Sequence, residues 1–92
     1  MLDLLKVGDK IELLRIDSLN DETLYPSQIL DIIDEHILII SGPIYKSRLV
    51  YVRRNEKVRI ICVVEDRGKY QFDAEVLNAK YEGVYKLKIR RI

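Results

Sequence analysis

His36 and Cys62 are the side chains of this 92-residue chain best suited to catalytic or metal chemistry, and each is the only residue of its type. A histidine can act as a general base or bind a metal ion, but His36 has no second histidine or cysteine at the spacing of a zinc site. Cys62 lies among isoleucine and valine residues, whereas reactive thiols need electropositive, partly exposed surroundings. We therefore predict a solvent-facing turn histidine and a buried, unreactive thiol.

The motifs of common enzyme classes are missing. Ser41-Gly42-Pro43 lacks the glycine pattern of a nucleophile elbow, and the four glycines of the chain form no phosphate-binding loop. The acids Asp31, Asp34 and Glu35 come without a cation-coordinating loop, so we expect them to form a solvated turn. The sequence predicts no catalytic residue and no metal site, in a protein that is not an enzyme.

One group of basic residues is interleaved with aromatic ones. Arg48, Arg53 and Arg54 alternate with Tyr45 and Tyr51, as on barrels that stack single-stranded bases on rings and hold phosphates with cations. The simpler interpretation is a strand with outward charges. Sixteen basic and fifteen acidic residues give a net charge of +1, which disfavours a protein held to nucleic acid mainly by phosphate contacts.

A second basic group ends the sequence, at Arg90-Arg91-Ile92. The planar guanidinium groups of these two arginines suit phosphate oxygens. They can equally serve as solvated strand ends.

Composition indicates one soluble globular domain, with 48% apolar and 34% charged residues. No apolar run approaches the ~20 residues that span a bilayer, and the first ten residues lack the pattern of a signal peptide. A single cysteine allows no internal disulfide and favours a reducing, cytoplasmic setting.

Apolar residues recur with a period of two, which is typical of β-strands. The predicted strands are 10–17, 27–34, 36–41, 49–53, 57–66, 69–81 and a final basic strand after residue 81, with turns at Gly8-Asp9, at Asp34-Glu35 and at 66–69, where Gly68 can take a positive φ. A loop is predicted between the first two strands, and Gly42-Pro43 is expected to end the third. About six short strands linked by tight turns predict an all-β fold, an antiparallel sheet closed into a small barrel.

Alternation is clearest in the last third of the chain. Tyr70, Phe72, Ala74 and Val76 alternate with polar residues and are predicted to point inward. In the last strand Tyr85, Leu87 and Ile89 face one way, and Lys86, Lys88 and Arg90 the other.

The order of these segments resembles the N-terminal domain of YcgR-type flagellar brake proteins, the small barrel that precedes a PilZ domain. The resemblance runs from about Val7 to Ile92. It rests on "VGDKIELL", on the Tyr-x-Ser-x-Ile strand at 25–29, on the proline after the third strand and on the alternation of 68–76.

This resemblance implies a split β-barrel joined to a PilZ domain that receives cyclic di-GMP. The family binds the nucleotide through an Arg-x-x-x-Arg motif at the linker and an Asp/Asn-x-Ser-x-x-Gly motif further on, and the change in domain packing then acts on the flagellar motor. By resemblance, Arg90 and Arg91 lie near the linker and are candidate phosphate contacts.

Neither nucleotide motif occurs in the 92 residues. We therefore expect residues 1–92 to be a single domain without the PilZ half, ending at a domain boundary and carrying no cofactor of its own. The expected function is a non-catalytic regulatory domain of a cyclic di-GMP-responsive flagellar brake. Its expected partners are a PilZ domain in the same longer chain and flagellar motor proteins, with no membrane insertion. The alternative is a small OB-like or SH3-like barrel that binds single-stranded nucleic acid through Tyr45, Arg48, Tyr51, Arg53 and Arg54.

Overall fold

The computed structural model describes residues 5–17, 21–64 and 68–92. Within these ranges the chain forms β-strands and no helix. The strands are β1 (Lys10–Arg15), β2 (Tyr25–Ile32), β3 (Ile37–Ser41), β4 (Ile44–Tyr45), β5 (Arg48–Leu49), β6 (Lys57–Val64), β7 (Gly68–Tyr81) and β8 (Tyr85–Arg91). The described ranges accordingly hold no helical segment long and apolar enough to cross a membrane.

Six of the strands close into an antiparallel barrel in the order β1-β2-β3-β8-β7-β6, with β6 pairing back onto β1. The short strands β4 and β5 pair only with each other in a separate hairpin. Closure gives every barrel strand two hydrogen-bonded neighbours, which is how a small sheet avoids exposed edges. The predicted all-β class and the small barrel of about six strands are confirmed.

The core is built by alternation along the long strands. Val58 and Ile60 in β6 and Leu87 and Ile89 in β8 are fully buried, while the residues between Leu87 and Ile89 and on either side of them point outward. In β7 the predicted inward set is confirmed for Phe72, Ala74 and Val76, which are buried, and Tyr70 is half-buried against them. Each buried aliphatic side chain contributes roughly 1.5–3 kcal/mol relative to an exposed one.

The predicted fourth strand at 49–53 is wrong. The chain instead turns back earlier, in the β4–β5 hairpin, and Val50–Arg53 belong to no strand. The Tyr85 hydroxyl satisfies part of this backbone, because it donates to the Val50 carbonyl at 2.9 Å and accepts from the Val52 amide at 3.2 Å. Val52 is fully buried in the core, so this segment packs against the barrel although it belongs to no strand.

Gly42 allows the Tyr85 ring to lie directly on the backbone where β3 ends. A β-carbon at position 42 would overlap with Cδ2 of that ring, and the Gly42 amide donates to the Tyr85 carbonyl at 2.8 Å. The predicted end of the third strand at Gly42-Pro43 is confirmed, since β3 stops at Ser41 and Pro43 is fully buried.

The turns agree with the sequence where they are described. The Asp9 carboxylate accepts from the Lys6 amide at 2.9 Å, and Asp34 Oδ1 accepts from the amides of His36 and Ile37 at 2.7 and 2.9 Å. Gly68 has the predicted positive φ, at 81°. Residues 65–67, which include most of the predicted turn at 66–69, and residues 18–20 of the predicted loop lie outside the described residues.

Candidate interaction surfaces

The outer face of β8 carries three cations in a row. Lys86, Lys88 and Arg90 alternate with the buried Leu87 and Ile89, as the sequence predicted. The pairing register then adds what the sequence did not show. In β7, Lys80 lies opposite Lys86, Asn78 opposite Lys88 and Glu75 opposite Arg90.

The side chains of Arg90 and Arg91 project from opposite faces of β8. Arg90 donates to Glu75 Oε1 at 2.7 Å on the outer face. Arg91 is half-buried, with its guanidinium carbon 5.4 Å from the Phe72 ring centre and 5.8 Å from that of Tyr70. Two side chains so placed do not grip one phosphate together. That either contacts phosphate stays a prediction.

Arg54 and Arg90 come from different groups in the sequence but line the same cavity. This cavity of about 490 Å³ also includes Lys88, Glu75 and Asn78. The turn that holds Arg54 ends at Asn55, whose φ is +71° and whose amide donates to the Val76 carbonyl at 2.7 Å. This bond ties Arg54 to the β7 side of the barrel.

The other members of the aromatic and basic group are spread over the hairpin and the segment after it. Tyr45 and Arg48 face each other across β4 and β5. The Tyr45 ring meets Tyr25 edge-on, with the ring centres 6.0 Å apart. Tyr51 is 74% exposed, and Arg53 lines a different cleft with Arg54. That these residues bind single strands stays a prediction.

The cleft beside Arg53 and Arg54 holds an ion pair that sequence reasoning missed. It has a volume of about 360 Å³. On its wall Arg15 donates to both carboxylate oxygens of the buried Glu56, at 2.7 and 3.0 Å. The same carboxylate accepts from the Arg53 amide at 3.2 Å. Because 41 residues separate Arg15 from Glu56, no local pattern could have indicated the pair.

The ion pair belongs to a group of neighbouring side chains whose pKa values are shifted. The Glu56 hydrogen bond raises the pKa of Arg15 above its ordinary value. Burial acts to raise the pKa of Asp21, but hydrogen bonds from Tyr25 and Thr23, with the Arg15 charge, lower it overall. The Asp21 carboxylate accepts from the Tyr25 hydroxyl at 2.8 Å, and burial together with this bond raises the pKa of Tyr25. These contacts fix the start of β2 against the end of β1.

An apolar groove lies between the β4–β5 hairpin and the turn that joins β7 to β8. Ile44 and Leu49, paired across the hairpin, are about half exposed, as is Val84, and Tyr81 is 65% exposed. These four side chains, with Tyr85 and Pro26 among their neighbours, line a cavity of about 410 Å³. Sequence reasoning missed the groove because it placed no hairpin at 44–49.

The residues best suited to catalytic or metal chemistry do not lie together. His36 is exposed in the turn before β3, as predicted. Cys62 is buried, and burial with the nearby Asp9 charge raises the pKa of its thiol to about 11, in agreement with an unreactive thiol. In the parts of the chain that the structure describes, histidine, cysteine and acidic side chains form no group that could hold a metal ion.

Comparison with known proteins adds two similarities. Residues 6–91 match the model of the family described as "Flagellar protein YcgR". Among solved structures, the chain is similar to the inhibitor of motility MotI/DgrA from Bacillus subtilis, with a TM-score of 0.74 and 18% sequence identity, a likeness that shows the fold. The match covers 96% of this chain and 46% of that one, so the chain spans about half the length of its solved relative. No curated protein gave a significant match.

Proposed function

We propose that this chain is a non-catalytic regulatory domain in the control of motility. The chain belongs to the family of the flagellar protein YcgR and matches its N-terminal domain. In this proposal the domain packs against a PilZ domain of a longer protein. Cyclic di-GMP binds mainly to the PilZ side and changes how the two domains pack, and the rearranged protein then contacts the flagellar motor in the cytoplasm.

The observation that carries the proposal is the apolar groove. Ile44, Leu49, Tyr81 and Val84 are each exposed by half or more and converge on one cavity. Contiguous exposed apolar surface of this kind marks protein–protein contact sites. Interfaces between domains of one chain are of moderate size and partly polar, which suits a groove bordered by the Ser41 and Tyr85 side chains.

The structure also supports a role for the β4–β5 hairpin as the adjustable part of the interface. The hairpin pairs with no barrel strand, and its loop residues Lys46 and Ser47 both have positive φ, at 50° and 65°. A small unit with few partners opens at a lower free-energy cost than the barrel. A partner domain can therefore reposition it while the barrel stays intact.

The test is to measure how a separately produced PilZ domain of a YcgR protein binds the chain, by calorimetry, with and without cyclic di-GMP. We expect Val84→Ser to weaken this binding several-fold. Val63→Ser is the matched control, because Val63 is 76% exposed in β6 and outside the groove. Equal loss in both variants, or no binding under either condition, would contradict the proposal.

A parallel titration with cyclic di-GMP alone tests how the nucleotide site is divided. We expect no measurable binding by this chain and tight binding by a chain that includes the PilZ domain. Tight binding by the 92 residues alone would mean that Arg90, Arg91 or the Arg53-Arg54 pair forms a nucleotide site. Single-stranded oligonucleotides at low and moderate salt serve as the third ligand, for which micromolar binding with a steep salt dependence would favour the nucleic-acid alternative.

A further inference from the structure

The lysines of β7 and β8 form an arrangement that folding does not account for. Lys80 lies directly opposite Lys86, and like charges opposite each other in a sheet are destabilising. Lys88 follows on the same outer face of β8. Among the described residues, Lys86 and Lys88 form no ion pair. Lys80 reaches Glu82 at 3.5 Å, with both side chains about 60% exposed, so that pair contributes little.

These lysines line one cavity together with apolar and acidic residues. The cavity has a volume of about 440 Å³, and Lys80, Lys86 and Lys88 line it together with Leu30 and Ile39. Both apolar residues are half-buried. Ile39 pairs with Lys88 across β3 and β8, so an apolar side chain lies next to a charged one.

Two strand irregularities flank this surface. The register of β2 against β3 shifts at Leu30, and that of β7 against β8 shifts at Leu77. An extra residue in one strand bends it and re-aims the side chains nearby. In β2 the shift occurs at Leu30, which lines the cavity together with Asp31.

We propose that the surface formed by Lys80, Lys86, Lys88, Leu30 and Ile39, the lysine cleft, binds an acidic segment of another protein. Its carboxylates would pair with the three ammonium groups, and an apolar side chain between them would contact Leu30 and Ile39. Such pairing removes the repulsion between Lys80 and Lys86, so the binding free energy includes relief of an unfavourable contact in the free protein.

The lining of the cleft favours a protein segment over a nucleic acid. None of the described residues that line it is aromatic, whereas single-strand sites rely on base stacking. Asp31 and Glu82 also line the cleft, so its lining carries charges of both signs. The cleft shares no lining residue with the apolar groove, so this proposal stands or falls independently of the one above.

The test uses fluorescein-labelled Glu-Glu-Leu-Glu-Asp-Leu-Glu-Glu as the probe, with anisotropy at low and moderate salt and amide chemical shifts to locate binding. We expect shifts centred on the cleft residues of β2, β3, β7 and β8. Lys86→Gln with Lys88→Gln should weaken binding by about tenfold or more, which corresponds to about 1.4 kcal/mol. Lys10→Gln with Lys69→Gln is the matched control, since it removes the same charge from exposed lysines elsewhere, and it should change binding less than twofold.

The stability of the same variants tests whether unfolding causes the loss of peptide binding. Lys86→Gln removes a like-charge pair, so its urea midpoint should equal or exceed that of the parent chain. Three outcomes would overturn the proposal: equal weakening by the two variant pairs, shifts centred outside β2, β3, β7 and β8, or tighter binding of a twelve-nucleotide oligo(dT) than of the peptide. A peptide in which glutamine replaces every glutamate should not bind, and if it does the charge argument fails.

Discussion

Glu56 connects the end of β1 to the turn before β6 through one carboxylate. It is buried and accepts from Arg15 twice and from the Arg53 amide, so its loss leaves a partly buried guanidinium without its main partner. We expect Glu56→Ala to lower the free energy of unfolding by about 2–3 kcal/mol, measured by urea denaturation.

Two variants sharpen that measurement. Glu82→Ala removes an exposed pair with Lys80 and should cost less than about 0.5 kcal/mol. Arg15→Met combined with Glu56→Met should cost less than Glu56→Ala, because neither member of the Arg15–Glu56 pair is left without the other. Equal losses for Glu56→Ala and Glu82→Ala would show that the ion pair contributes nothing to stability.

The raised pKa of the Cys62 thiol predicts that the stability of the fold falls at alkaline pH. The pKa of its thiol is about 11 in the folded state and 9.0 in the unfolded state. The folded chain therefore holds the proton more firmly, so the stability that this group contributes is complete below pH 9 and is lost as pH rises toward 11.

A disulfide reagent measures this directly. Native protein at pH 8 should react orders of magnitude more slowly than protein unfolded in urea, because the thiol is both protonated and buried. Replacing Cys62 with alanine should flatten the pH dependence of stability between pH 9 and 11. Rapid reaction of the folded chain at pH 8 would contradict the buried position.

At the scale of elements, the β4–β5 hairpin uses residues that its turn does not favour. A two-residue loop with positive φ at both positions prefers asparagine and glycine, whereas this chain has Lys46 and Ser47. We expect Lys46→Asn with Ser47→Gly to raise the free energy of unfolding by about 0.5–1 kcal/mol, after the greater freedom of glycine in the unfolded chain is subtracted. Ser47→Val should lower it. Thermal and urea unfolding of the three proteins check both signs.

Gly42 and Tyr85 form a contact that should behave as a unit. Gly42→Ala places a methyl group against the ring and should cost about 1–3 kcal/mol. In a Tyr85→Ala background the same change should cost much less, because the ring is gone. A double-mutant cycle measures this coupling, and simple additivity would show that the close approach is not the cause.

The elements also show where sequence reasoning ends. Local signals sufficed for the alternation of Phe72, Ala74 and Val76, for the positive φ of Gly68 and for the end of β3, because each depends on neighbouring residues. The segment after Leu49 looked like a strand from its apolar residues. It is instead held by the Tyr85 hydroxyl, about 35 residues away, and the apolar groove that depends on the hairpin was missed for that reason.

At the scale of the whole molecule, all six barrel strands supply one core. Its fully buried members include one or more residues from each strand: Leu13, Ile29, Ile40, Ile60, Val76 and Leu87. We expect a single cooperative unfolding transition. Tyrosine fluorescence, available because the chain has six tyrosines and no tryptophan, should give the same urea midpoint as far-ultraviolet circular dichroism. Two separated midpoints would mean that part of the barrel unfolds on its own.

The barrel itself was predictable because a chain of 92 residues with many short strands has few other ways to cover its sheet edges. The strand order was not, since the pairings of β1 with β6 and β3 with β8 join distant segments. In the candidate surfaces, too, some features follow from the local sequence and others depend on strand pairing. Alternation alone gave the outer face of Lys86, Lys88 and Arg90, but the position of Lys80 opposite Lys86 depends on the register set by the turn at 82–84.

Closure of the barrel limits the ways in which another protein could contact its strands. Every strand of the barrel already has two neighbours, so a partner that contacts the barrel itself does so through side chains and not by adding a strand. Along β8 those side chains alternate with the ones that hold the core together. Mutations at Lys86 and Lys88 can therefore change the charge of the outer surface, while the buried Leu87 and Ile89 keep the core unchanged.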